Sequence, residues 1–190
     1  MTTYPRSMTS EEVGCLELLI GCTLNSYGTT TLLNGTRTAI GEAFIETREG
    51  GTISIRSQMQ SCTINGVNDD FATVSIGRSD KSLVDVAARK GSLFYDFSNS
   101  VITNVGVIRA QFTREASSKP IESCEIDLGI MIVTELGRIA VFNGSIWVSE
   151  LDLEVLRDDV DLGELEGFAS ELGDVWETRT TVMMIGDEAR

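Results

Sequence analysis

The segment from Ile121 to Val148 reads IESCEIDLGIMIVTELGRIAVFNGSIWV. Four runs rich in β-branched and aromatic residues stand out: Ile121–Ile126, Ile130–Thr134, Arg138–Phe142 and Ser145–Val148. Such runs read as strands. They are separated by Asp127-Leu128-Gly129, Glu135-Leu136-Gly137 and Asn143-Gly144, whose glycine, acidic and amide residues suit tight turns. Turns this short join antiparallel neighbours, so the segment predicts a meander.

The same pattern extends upstream. Thr30–Leu33 and Thr36–Ile45 flank Asn34-Gly35, a strong hairpin signal. Glu49-Gly50-Gly51 predicts a turn, and Thr52–Ser57 alternates, with Ile53 and Ile55 on one face and Ser54 and Arg56 on the other. Asn65-Gly66 predicts a further turn, and strands are expected at Phe71–Ile76, Leu93–Phe97 and Val101–Phe112. The polar stretch Thr113–Pro120, with a basic spot at Arg114 and Lys119, reads as a loop. Gly41–Ser57 and Ile121–Arg138 can be laid over each other, which suggests two related halves. Period-two alternation and turn glycines in any antiparallel sheet would account for that likeness equally well.

Three short helices are expected. Thr9 and Glu12 form the S/T-x-x-E capping box of a helix over Thr9–Ile20; Val13, Leu16 and Ile20 make its apolar stripe, and Gly21 ends it. A second spans Ser79–Lys90, with Leu83, Val84, Ala87 and Ala88 on one face and Gly91 at its exit. A third spans Asp161–Leu172, buried through Leu162, Leu165, Phe168 and Leu172, before a last strand at Thr178–Ile185. The reading is a single α+β domain over residues 1–190, mainly antiparallel β meanders with three covering helices. An internal division is expected near 77–100, and the acidic segment 151–190 should pack on the sheet.

Composition narrows the chemistry. The chain has 29 acidic and 15 basic residues, a net charge of -14, and no histidine. Histidine is the side chain that most readily moves protons near neutral pH and the commonest metal ligand. Cys15, Cys22, Cys62 and Cys124 show no C-x-x-C spacing, which predicts reduced thiols and no zinc set. Around Asp158-Asp159-Val160-Asp161-Leu162-Gly163, neither register fills the ligand positions of an EF-hand loop. Gly-x-Ser-x-Gly, the P-loop and Gly-x-Gly-x-x-Gly are absent. No cofactor or metal is expected. Nucleic acid is an unfavourable partner, because phosphates reward lysine and arginine. No apolar run approaches the ~20 residues of a membrane span, and Met1–Ser10 lacks a signal-peptide core. A cytoplasmic protein without a membrane partner is expected; the oligomeric state stays open.

The charge is unevenly spread. Residues 151–190 hold 12 acidic and 3 basic residues, net -9, against 17 and 12, net -5, in residues 1–150. A face carrying Asp158, Asp159, Glu164, Glu166 and Glu171, with Trp176 as an aromatic anchor, is therefore the candidate contact for a basic protein partner. Trp147 reads as core. The leading expectation is a non-enzymatic, acidic binding protein that inhibits or neutralises that partner. In composition, though in no motif, it resembles the immunity proteins that block a toxin's active site. The alternatives are a subunit of a β-rich oligomer or viral particle, and an enzyme working through carboxylates or a divalent ion; the composition weighs against enzymatic activity without deciding it.

Overall fold

The computed structural model describes residues 2–6, 8–33, 36–49, 51–64, 67–84, 92–116, 119–143, 150–156 and 176–185. Strand β1 (Thr2–Arg6) precedes helix α1 (Ser10–Glu17). Then follow β2 (Leu24–Thr29), β3 (Thr38–Ile40), β4 (Glu42–Thr47), β5 (Thr52–Ile64), β6 (Val67–Arg78) and β7 (Ser92–Phe94). The chain continues through β8 (Ile102–Ala116), β9 (Lys119–Thr134), β10 (Arg138–Asn143), β11 (Glu150–Leu156) and β12 (Trp176–Met184).

These strands form two sheets. One has five strands in the order β6-β5-β4-β2-β7; the other runs β12-β8-β9-β10-β11-β3, with β1 added against β9. All pairings are antiparallel except β1 on β9. The apolar faces of both sheets share one core. Ile45, Ile55 and Val74 come from the first sheet, Ile130, Ile132, Val141 and Leu153 from the second, and Leu16 and Leu19 from the helical segment. Alternation at period two places these residues inward, and removing their apolar surface from water is the main force holding the sheets together. Ile53 and Ile55 join this core and Arg56 is exposed, as the alternation of Thr52–Ser57 predicts.

Helix α1 begins as its sequence predicts. The Thr9 hydroxyl accepts from the Glu12 amide, and the Glu12 carboxylate accepts from the Thr9 amide. The other Glu12 carboxylate oxygen accepts from the Ile76 amide at 3.1 Å, so one side chain closes the helix and fastens it to β6. The buried stripe differs from expectation. Leu16 and Leu19 are buried, whereas Ile20 is exposed, because the helix stops at Glu17 and the turn through Gly21 redirects the chain.

Three other expectations are corrected. Thr36–Ile45 is not one strand: Gly41 sits at φ +85°, where glycine escapes the penalty that other residues meet. The break sends β3 to β11 in one sheet and β4 to β2 and β5 in the other. Asp127-Leu128-Gly129 is not a turn. β9 runs straight through it, and Leu128 is the extra residue of a bulge opposite Ile108 and Arg109. Gly129 is needed there, since an added Cβ would lie 2.2 Å from the Val141 carbonyl oxygen and 2.4 Å from the Phe142 Cα. Thr113–Pro120 is not a loop either, because β8 continues to Ala116 and β9 starts at Lys119. The overlay of Gly41–Ser57 on Ile121–Arg138 fails with it: the first stretch is two paired strands and the second is mostly one.

Leu83 and Val84 take helical backbone, and Leu83 packs on Phe44, on the outer side of β4; residues 85–90 of that expected helix lie outside the described residues. The expected helix Asp161–Leu172, the strand Ser145–Val148 and Trp147 lie outside them too. Among the described residues the fold is thus two mostly antiparallel sheets with one helix. No helix among the described residues is long and apolar enough to cross a membrane.

Candidate functional site

Of the acidic face, Asp158, Asp159, Glu164, Glu166 and Glu171 lie outside the described residues. Trp176 opens β12, in register with Arg114 of β8. Among the described residues, three other arrangements carry chemistry.

The first joins Tyr27 of β2, Arg37 just before β3 and Asp96 just after β7. The Tyr27 hydroxyl donates to the Asp96 carboxylate at 2.7 Å and accepts from Arg37 at 2.8 Å; Arg37 also donates to Asp96 at 2.6 Å. The Arg37 guanidinium lies 4.6 Å above the Phe94 ring, itself 5.3 Å from the Tyr27 ring. Burial, then the Asp96 hydrogen bond, pushes the Tyr27 phenol well above its usual value. Burial opposes ionisation of Asp96 as well, but the hydrogen bonds from Tyr27 and Arg37 and the Arg37 charge outweigh it and hold the carboxyl below its usual range. A phenol kept protonated and a carboxylate kept ionised make a fixed link rather than a proton relay. The following turn, Asp96–Asn99, has Phe97 and Asn99 at φ 56° and 66°, strain that the surrounding contacts must hold in place. An added Cβ at Gly137 would lie 2.5 Å from the Phe97 ring, so that glycine makes room for it.

The second arrangement sits at the β9 bulge. Asp127 is buried, and one carboxylate oxygen accepts from Arg109 Nε at 2.7 Å. The other accepts from the Met8 amide at 2.5 Å, and the Asp127 carbonyl accepts from the Thr73 hydroxyl at 3.0 Å. One residue thus ties β8, β9, β6 and the chain entering α1.

The third is an open trough. A concavity of about 630 Å³ runs between α1 and β6, lined by Glu11, Glu12, Gly14, Cys15, Ile76 and Gly77 among others. A second, of about 380 Å³, lies beside Cys22, Glu49, Gly51, Ile53 and Asp80. Leu18 and Arg78 line both, so the two adjoin. Leu18 is 52% exposed, a large apolar side chain left in water. Arg78 is exposed and forms no ion pair among the described residues. Hydrogen bonds from its own amide and from Thr23 hold the Glu49 carboxyl below its usual range, so it stays charged. The lining carries four carboxylates, Glu11, Glu12, Glu49 and Asp80, against Arg78, net -3.

No family model matches this chain, and no curated protein or solved structure matches it. What the arrangements can do therefore follows from their chemistry alone. No group of three or more Cys, Asp or Glu among the described residues could hold a metal. Cys15 and Cys22 are free thiols, each half-buried at the trough. The first two arrangements consume their charges internally; in the trough Glu12 is likewise engaged, by Thr9 and Ile76, while Glu11, Asp80 and Leu18 are exposed. The sequence reading did not single out the trough. Its one local signal was the glycine at position 14, inside an otherwise ordinary helix.

Proposed function

We propose that this chain is a non-enzymatic binding protein that holds a basic protein partner against an acidic surface and so inhibits or neutralises it. The net charge of -14, with -9 in residues 151–190, carries the reading. The described ion pairs support it. Arg37–Asp96, Arg56–Glu42 and Arg109–Asp127 each cancel internally, so the excess negative charge resides on other side chains. A field of that sign speeds encounter with a cationic surface and opposes binding to nucleic acid. The face bearing Asp158, Asp159, Glu164, Glu166 and Glu171, with Trp176, remains the proposed contact in the C-terminal segment.

The test is capture on the full-length chain at low salt, followed by rate measurements on each identified binder. Basic proteins are expected, with association slowing steeply as the screening length falls to about 10 Å at 0.1 M salt. Reversing Glu164 and Glu166 to lysine should slow it further. Binders that are not basic, or rates indifferent to salt and to the reversals, would defeat the reading.

A second reading, a subunit of a β-rich assembly, is favoured by one observation. β12 closes its sheet along nine residues, and no strand pairs with its outer edge among the described residues. Such an edge is a template for another chain. A molecular mass that rises with concentration in light scattering would support it; a monomer throughout would not.

A further inference from the structure

We propose that the trough over α1 and the end of β6 receives an extended segment of a basic protein, a placement that rests on the acidic-binder reading. Two glycines on its lining are the starting point. Gly14 lies inside α1, yet an added Cβ there meets nothing within 4 Å. Gly77 lies inside β6, where an added Cβ meets only the Ser54 hydroxyl oxygen at 3.9 Å, an ordinary contact. Neither is among the glycines at positive φ. Glycine weakens helix and strand interiors alike, and here neither packing nor backbone geometry demands it. A glycine in a strand often marks the close approach of another backbone, and these two line the same open trough.

The surrounding side chains define the occupant. Glu11, Glu49 and Asp80 are exposed carboxylates on the lining, and Arg78 is its one cation among the described residues. Arg48 and Lys81, next in the chain to Glu49 and Asp80, do not line it. Lysine or arginine side chains of the segment meet the carboxylates, an aliphatic side chain covers Leu18, and Arg78 donates to a main-chain carbonyl of the bound segment. Gly14 and Gly77 let that main chain lie close to the floor.

The experiment is selection from a displayed random-decapeptide library on the full-length protein, followed by affinity measurement of the enriched peptides. Peptides combining lysine or arginine with an aliphatic residue are expected. Gly14→Trp, which fills the trough, should weaken them about tenfold or more, as blocking a central contact does, and Gly14→Ala, which adds a single Cβ to the floor, should weaken them by a smaller factor. If Gly14→Trp does not fold, Glu11→Lys with Asp80→Lys reads the same site through its charge. Cationic peptides that ignore the trough variants but are lost on Glu164→Lys with Glu166→Lys overturn the trough and keep the acidic-binder reading. Enrichment without cationic residues overturns both.

Discussion

Two of the three ion pairs among the described residues act as clamps, and they differ in burial. The Asp127 and Arg109 side chains are 2% and 18% exposed, whereas those of Asp96 and Arg37 are 32% and 39% exposed. Arg37 and Asp96 are 59 residues apart, Arg109 and Asp127 face each other across the consecutive strands β8 and β9, and both pairs use a short, well-formed hydrogen bond. Burial is the difference. Within the Asp127 site little water can replace a missing partner, so each charge depends on the other. Around Asp96 water reaches the carboxylate, and Tyr27 shares the load. A like contact is therefore an anchor in one place and an adjustable tie in the other.

The contrast breaks most sharply at Asp127. Asp127→Ala should cost about 3–5 kcal/mol in urea unfolding, the range for removing one partner of a buried pair. A loss under about 1 kcal/mol would mean that water already enters the bulge. Tyr27→Phe should cost less, about 1–2 kcal/mol, because the solvent-exposed side of Asp96 can rehydrate.

Titration sharpens the comparison. The difference in stability between the parent and Tyr27→Phe should stay flat across neutral pH and narrow at both extremes. Asp96 titrates below its usual value when folded, so its contribution is present above about pH 4 and is lost as pH falls through the lower folded value. Tyr27 titrates above its usual value, so its contribution is present below about pH 10 and is lost as pH rises beyond it. A gap that is constant from acid to alkali would disconnect Tyr27 from Asp96.

The smallest effect is expected away from both clamps. Gly14→Ala should stabilise the protein by about 0.5–1 kcal/mol, since the helix gains propensity and the new Cβ meets nothing. Thermal unfolding would show it as a rise in Tm; a fall would mean that the trough is tighter than its geometry.

The sequence was legible where structure is local. The capping box at Thr9 and Glu12 needs only four residues, and it formed as read. Asn65-Gly66 is flanked by Ile64 paired with Val67, as a two-residue hairpin requires. The Glu135-Leu136-Gly137 turn closes through the Thr134 hydroxyl. Misreadings came where a distant partner decides. Asp127-Leu128-Gly129 has the composition of a turn, and only the opposing Ile108 and Arg109 reveal a bulge. β11 was legible and missed: Leu151 and Leu153 alternate with Asp152 and Glu154, but the acidic residues drew the segment into a charged surface. Tyr27, Arg37 and Asp96 are separated by 10 and 59 residues and leave no local trace.

The break at Gly41 also sets a timetable. β3 pairs with Glu150–Asp152, at a separation of 110 to 114 residues, although β4 next to it is paired by neighbours made soon before and after it. On a ribosome adding roughly 5–20 residues per second, β3 waits on the order of 5–20 s for β11 while the five-stranded sheet can already assemble. The nascent protein therefore passes through a stage with one sheet built and β3 extending from it, paired on one side with Thr31–Leu33 and open on the other. That open edge is where a chaperone, or a mispaired neighbour, would first take hold.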